Sequence, residues 1–146
     1  MAFHLAQFNV AHAKYPINDP QMKGFVDLLA SVNEAGERSK GFVWILKDDT
    51  GTAVNYNPYN DPYLLVNMTV WETIEDLKNF AYSGAHGDIF RRRREWFQPM
   101  EKESTVLWWI AKGSLPTVEE GKAKLNQLWE NGPTAEAFSL KKIFQP

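Results

Sequence analysis

The segment Leu64–Phe97, LLVNMTVWETIEDLKNFAYSGAHGDIFRRRREWF, decides the fold. Its first eight residues are mostly apolar or β-branched and read as a strand. With a period of two, Leu64, Val66, Met68 and Val70 share one face, and Leu65, Asn67, Thr69 and Trp71 the other. The first face is purely apolar and suits packing under helices. The second carries an amide, a hydroxyl and an indole, and either lines a cavity or faces water. Thr73 then opens a helix, with Asp76 three residues on at an approximate capping-box spacing. Ile74, Leu77, Phe80 and Ala81 recur at helical intervals, which predicts one buried stripe. Ser83-Gly84 ends that helix, because glycine tolerates the left-handed conformation. A second helix is predicted from about Ala85 or His86 to about Phe97, ahead of Pro99.

Two residues of the second helix stand out. Its apolar positions, Ile89, Phe90, Trp96 and Phe97, put His86 and Arg93 on the same stripe, while Arg91, Arg92 and Arg94 leave it. An imidazole in the first turn sits at the positive end of the helix dipole, which favours the neutral form. A neutral histidine can act as base, donor or metal ligand; the plain alternative is a capping or hydrogen-bonded surface residue. An arginine on a half-buried stripe needs an anion. That anion is either a ligand carboxylate or a structural partner such as Glu72 or Glu95.

Outward from this segment, Phe3 to Ala11 reads as a first strand with Leu5, Gln7 and Asn9 on one face and Ala6, Phe8 and Val10 on the other. Again one face is mixed and one apolar. His4 and His12 lie roughly 26 Å apart in such a strand and cannot share a metal. Asp19 and Pro20 introduce an amphipathic helix over Gln21 to Glu34, closed by Gly36. Gly41 to Lys47 is a second strand, and Asp48-Asp49-Thr50-Gly51 a turn from which Thr52 to Tyr56 returns as a short arm. Tyr56, Tyr59 and Tyr63 either roof a pocket or pack outside. Ser104 to Ala111 is a strong strand in which Trp108 and Trp109 point to opposite faces. Thr117 and Glu120 form a capping box for a helix that stops at Asn131-Gly132-Pro133. Ala137 to Phe144 is a terminal strand or an arm against a partner subunit.

Bulk properties bound the function. A chain of 146 residues, 44% apolar and 23% charged, reads as one globular domain over 1–146. A net charge of −2 argues against general nucleic-acid affinity. The absence of cysteine excludes disulfides, thiolate metal sites and cysteine nucleophiles, and fits a cytoplasmic protein. No stretch approaches the roughly 20 apolar residues needed to cross a bilayer, so no membrane partner is expected. Phosphate loops, nucleotide fingerprints and metal-spaced histidine clusters are missing from the sequence. The element order is β-α-β(β)-β-α-α-β-α-β, an α+β class built on a ferredoxin-like split βαβ sheet with helices on one face. The other face then needs cover, and a two-fold homodimer joining two open faces into a barrel is the simplest answer.

HLAQFNVA at the start, GFVW, VNMTVWETIEDLKNFAYSGAH, RRRREWF and VLWWI together resemble a bacterial family catalogued as domain of unknown function 3291. The resemblance spans nearly the whole chain. That family is similar to the dimeric α/β-barrel superfamily, which includes antibiotic-biosynthesis monooxygenases and haem-degrading or haem-binding members. The resemblance implies a dimeric α/β barrel whose pocket is lined by Asn9, Trp71 and His86. The interval between Trp71 and His86, with its extra glycine break, departs from the haem-degrading enzymes. Three functions follow as expectations. In a monooxygenase-like enzyme with no bound metal or required cofactor, Asn9 and Trp71 orient an aromatic or polyketide-like substrate and His86 moves a proton. Gln7, Asn67, Thr69, Arg93 and Trp108 complete the binding surface. In a haem-binding protein His86 is the axial ligand and Arg93 meets a propionate. In a non-catalytic dimer the same cavity holds a metabolite.

Overall fold

Strand β1 (Phe3–Ala13) has partners along both edges and forms the middle of the sheet. A computed structural model describes residues 2–82 and 84–146; the Ser83 half of the predicted glycine break lies outside the described residues. On one side β1 runs antiparallel to β3 (Leu64–Trp71), in a register from Leu5 opposite Trp71 to His12 opposite Leu64. β2 (Phe42–Ile45) adds to the outer edge of β3. The other edge of β1 is shared. β5 (Thr105–Ala111) pairs with Phe3 to Asn9, and the two-residue β4 (Phe97–Gln98) pairs with His12 and Ala13. Among the described residues the α-helices are α1 (Lys23–Glu37), α2 (Ile74–Ala81), α3 (Gly84–Arg91) and α4 (Val118–Asn131). This is the expected α+β, split βαβ arrangement, with the sheet curled into a half-barrel.

The alternation along the strands is as read, but helices cover both faces of the sheet and not the apolar one alone. Ala6, Phe8 and Val10 of β1, Val66, Met68 and Val70 of β3, and Val106, Trp108 and Ile110 of β5 form one apolar cluster with Leu125 and Leu128 of α4. At Gly121 the α4 backbone comes so close that a Cβ would lie 2.6 Å from Phe8 Cδ1. The mixed face carrying Gln7, Asn67 and Thr69 instead lies on the side of α1, α2 and α3. These helices cover it in two separate patches. Ile74 and Leu77 of α2 pack with Leu5, Trp71, Leu107 and Phe138 at one end. Phe25 of α1 packs with Ala13, Met22 and Trp96, beside Leu65 and Ile89, at the other. So the mixed face, expected to stay open for a second copy, is partly covered by α1, α2 and α3 of the same chain, while α4 covers the apolar face. A period of two reveals that two faces differ; it does not reveal which distant helix meets which face.

Boundaries also differ: α1 runs on to Glu37, past the Gly36 expected to close it. The helix expected to reach Phe97 stops at Arg91, and a 3-10 turn over Arg93–Glu95 follows. A continuous helix would press Arg93 toward the buried stripe; the tighter turn leaves all four arginines exposed while Trp96 enters the core. Thr52 to Tyr56 forms no strand. The Asp48 carboxylate accepts from the Thr50 backbone N–H and hydroxyl and from the Asn55 N–H, and holds the segment as a loop. The C-terminal segment docks on its own chain. Leu107 and Phe138 exchange both backbone hydrogen bonds, at 2.8 and 2.9 Å, and Phe138 is fully buried. Among the described residues no helix is long and apolar enough to cross a membrane.

Candidate active site

The register of β1 on β3 sets Gln7 opposite Thr69 and Asn9 opposite Asn67. Their side chains occupy the stretch of the mixed face between its two apolar patches. A row of hydrogen bonds runs along it. Trp71 Nε1 donates to Thr69 Oγ1 at 2.8 Å, Thr69 Oγ1 donates to Gln7 Oε1 at 2.8 Å, and Gln7 Nε2 donates to Asn9 Oδ1 at 2.9 Å. The direction of this row follows from chemistry alone. An indole N–H can only donate, and a hydroxyl has a single proton to pass on. Each amide is therefore oriented by its neighbour, and the last one, Asn9, is left with its Nδ2 hydrogens turned away from the row. Trp71 and Thr69 at the start are buried, whereas Asn9 and Asn67 at the far end are only half-buried. The row thus begins in the core and ends in a polarised donor at the surface.

His86 lies on α3, half-buried. Its Nδ1 is 2.8 Å from the Ala81 carbonyl oxygen. A carbonyl only accepts, so Nδ1 carries the proton and Nε2 keeps its lone pair. Burial pulls the imidazole below the ordinary histidine pKa, with the bond to Ala81 opposing in part. His86 is therefore neutral and basic at Nε2 near pH 7. It does not face Trp71 across an open chamber. The Phe80 ring stacks on Trp71, with centroids 5.2 Å apart, and meets His86 at 5.0 Å. Phe42 also packs on the indole, edge to face with centroids 5.8 Å apart.

The other expected residues divide. Gln7, Asn9, Asn67, Thr69 and Trp71 come together as one row and its flank. Arg93 does not join them. It is exposed, donates to the Phe90 carbonyl at 2.7 Å and lies 4.2 Å from the Phe90 ring centroid, because the helix has already ended. Its anticipated acid belongs to Arg92, which holds Glu95 at 2.7 Å. Trp108 is buried under α4, on the face opposite Asn9. Trp109 is the one on the mixed face, and its Nε1 is taken by the Phe144 carbonyl at 2.7 Å. Of the tyrosines, Tyr56 lines a groove of about 470 Å³ on the α4 side, away from Asn9. Spacing places Phe80 on a helix stripe and Phe42 in a strand, and nothing in it says that both rings pack on Trp71.

Haem does not suit this set of residues. His86 Nε2 has the chemistry of an axial ligand, but Phe80 stands between it and Trp71, and Arg93 is turned to a backbone carbonyl. Among the described residues no group of three or more His, Asp or Glu side chains could hold a metal ion.

Comparison with known proteins agrees with this fold. A family model described as domain of unknown function (DUF3291) matches residues 4–146. No curated protein matches the chain. Among solved structures, a protein of unknown function from Nitrosomonas europaea superposes with a TM-score of 0.53 at 14% identity, covering 79% of this chain and 96% of its own. A conserved protein from Methanosarcina mazei Go1 gives 0.52 at 17% identity, over 75% and 93%. SnoaB, a cofactor-independent oxygenase from Streptomyces nogalater, gives 0.50 at 15% identity, over 80% and 100%.

Proposed function

Since this chain belongs to the DUF3291 family and shares its fold with a cofactor-independent oxygenase, we propose that it binds a small aromatic or polyketide-like molecule at the open end of the Trp71–Asn9 row. The observation that supports this reading is the fixed polarity of the row. Asn9 Nδ2 is a preorganised donor for a ligand carbonyl or phenolate oxygen, with Asn67 beside it across the strand pair. His86 is the base of the proposal for a ligand that reaches back along the row from Asn9 to the Phe80 side: its neutral Nε2 takes the proton of a hydroxyl at that end of the ligand and leaves an electron-rich phenolate for reaction with dioxygen. Trp71, Thr69 and Gln7 act through Asn9 and hold its orientation.

The test pairs binding with turnover. A panel of hydroxylated aromatics is titrated into the protein, and oxygen uptake is followed in parallel. Asn9→Ala is expected to weaken binding about tenfold, the loss of one hydrogen bond to a charged or strongly polar oxygen. His86→Gln is expected to leave binding within about twofold and to abolish uptake. Undiminished binding in Asn9→Ala removes the site. Binding without uptake in the wild type makes the protein a metabolite-binding module instead of an oxygenase. A homodimer belongs to the same reading as the expected assembly, but the residues named here all come from one chain. Sedimentation equilibrium measures it separately, and a binding-competent monomer would drop the dimer while leaving the site.

A further inference from the structure

The capping box expected at the start of α2 is only half made. Thr73 Oγ1 accepts from the Asp76 N–H, at 3.1 Å, but the Asp76 carboxylate does not return to the Thr73 backbone. It turns instead toward Gly41. That glycine has φ of 80°, and a Cβ built there would sit 2.0 Å from Asp76 Oδ2, so only glycine leaves room for the carboxylate. Asp76 is 7% exposed, and no hydrogen bond or ion pair reaches its carboxylate from any described residue. It lines a pocket of about 230 Å³, with Ala35, Ser39, Lys40, Phe80 and Gly84 among the other walls.

The carboxylate meets solvent only through this pocket and has no partner in the fold, so a cation entering the pocket would find an unpaired negative charge on its wall. The Phe80 ring adds a π-face, which attracts ammonium groups and suits a flat apolar substituent. Lys40, also on the wall, carries the same charge as such a ligand and stands outside ion-pair distance of Asp76. We infer that the pocket between the end of α1 and the start of α2 binds a small organic ammonium compound, with its cationic nitrogen on the Asp76 carboxylate and its apolar part against Phe80. This site is separate from the Asn9 row and does not depend on the reading given to it.

Benzylammonium is the probe, with benzyl alcohol and benzoate as neutral and anionic counterparts of the same shape. The full chain is labelled with ¹⁵N, and the backbone amide signals of Lys40, Gly41 and Gly84 are followed during titration. Saturable shifts with benzylammonium are expected, with the alcohol and benzoate at least tenfold weaker. Asp76→Asn, which keeps size and helix position, should weaken benzylammonium at least tenfold, and Lys40→Met should strengthen it. Asn9→Ala should leave it unchanged. Equal binding of alcohol and ammonium by the wild type overturns the inference, as does unchanged benzylammonium affinity in a folded Asp76→Asn. Should that variant not fold, the comparison of the three probes on wild type and Lys40→Met still decides.

Discussion

Thr69 joins the buried indole to the amides that end at the surface, accepting from Trp71 and donating to Gln7 with one hydroxyl. Valine has nearly the same shape and neither function. Thr69→Val would leave Trp71 Nε1 and Gln7 Oε1 without their partners in a buried setting, at a cost of about 1–3 kcal/mol. Urea unfolding measures this; a midpoint equal to wild type would mean the row contributes nothing. The same substitution frees Gln7 to rotate, so any ligand that relies on Asn9 should bind more weakly even though Thr69 itself does not touch it. His86 makes a second residue-level prediction. Its folded pKa lies below the unfolded value, so the unfolded chain binds the extra proton more readily. Stability from this residue is therefore complete above about pH 6.5 and is lost as pH falls through the lowered folded value. Wild type should lose more stability than His86→Gln between pH 7.5 and pH 5, measured by denaturant midpoint. Equal losses would show that burial does not hold the imidazole neutral.

At the scale of elements, α4 is the helix whose local signals are most complete. Thr117 Oγ1 accepts from the Glu120 N–H at 3.1 Å, and Glu120 Oε1 accepts from the Thr117 N–H at 3.2 Å. Yet Gly121, the fourth residue after the cap and the one that meets Phe8, is a poor helix former. Alanine there gains about 1 kcal/mol in helix propensity. The added methyl would meet Phe8 at 2.6 Å, and overpacking of a filled core costs about 1–3 kcal/mol. Gly121→Ala is expected to lower the thermal midpoint, since the contact is with a fully buried ring that cannot move aside. A raised midpoint would mean that α4 can lift from the sheet without loss. The opposite behaviour is seen at the end of α3, where packing overrides sequence pattern. Apolar spacing suggests a helix through Phe97, but four consecutive arginines need solvent, and the chain breaks into a 3-10 turn to give it to them.

For the whole molecule, the decisive fact is that both sheet faces are covered within one chain. Phe8, Trp108 and Met68 lie under α4, and each large side chain of this kind contributes about 1.5–3 kcal/mol by leaving water. Removing α4 and the segment after it would uncover this face and the Leu107–Phe138 bridge together. A chain ended before Thr117 is expected to aggregate or to bind a hydrophobic dye strongly; a soluble, dye-silent product would mean the face needs no cover. Much of this architecture is legible in the sequence. The two-residue alternation in β1 and β3, the caps at Asp19 and Thr117, and the split βαβ order follow from local chemistry, because backbone geometry imposes those periods wherever the segment sits. Asn9, Asn67, Thr69 and Trp71 could likewise be placed on a common side of their strands. Their union into one polarised row required the antiparallel register of strands some sixty residues apart, which no local period encodes. Whether α4 or the earlier helices meet a given face, whether Trp108 or Trp109 joins the site, and that Phe80 lies between Trp71 and His86 are likewise outcomes of long-range packing. They depend on which surfaces fill space together, and only the folded chain brings those surfaces into contact.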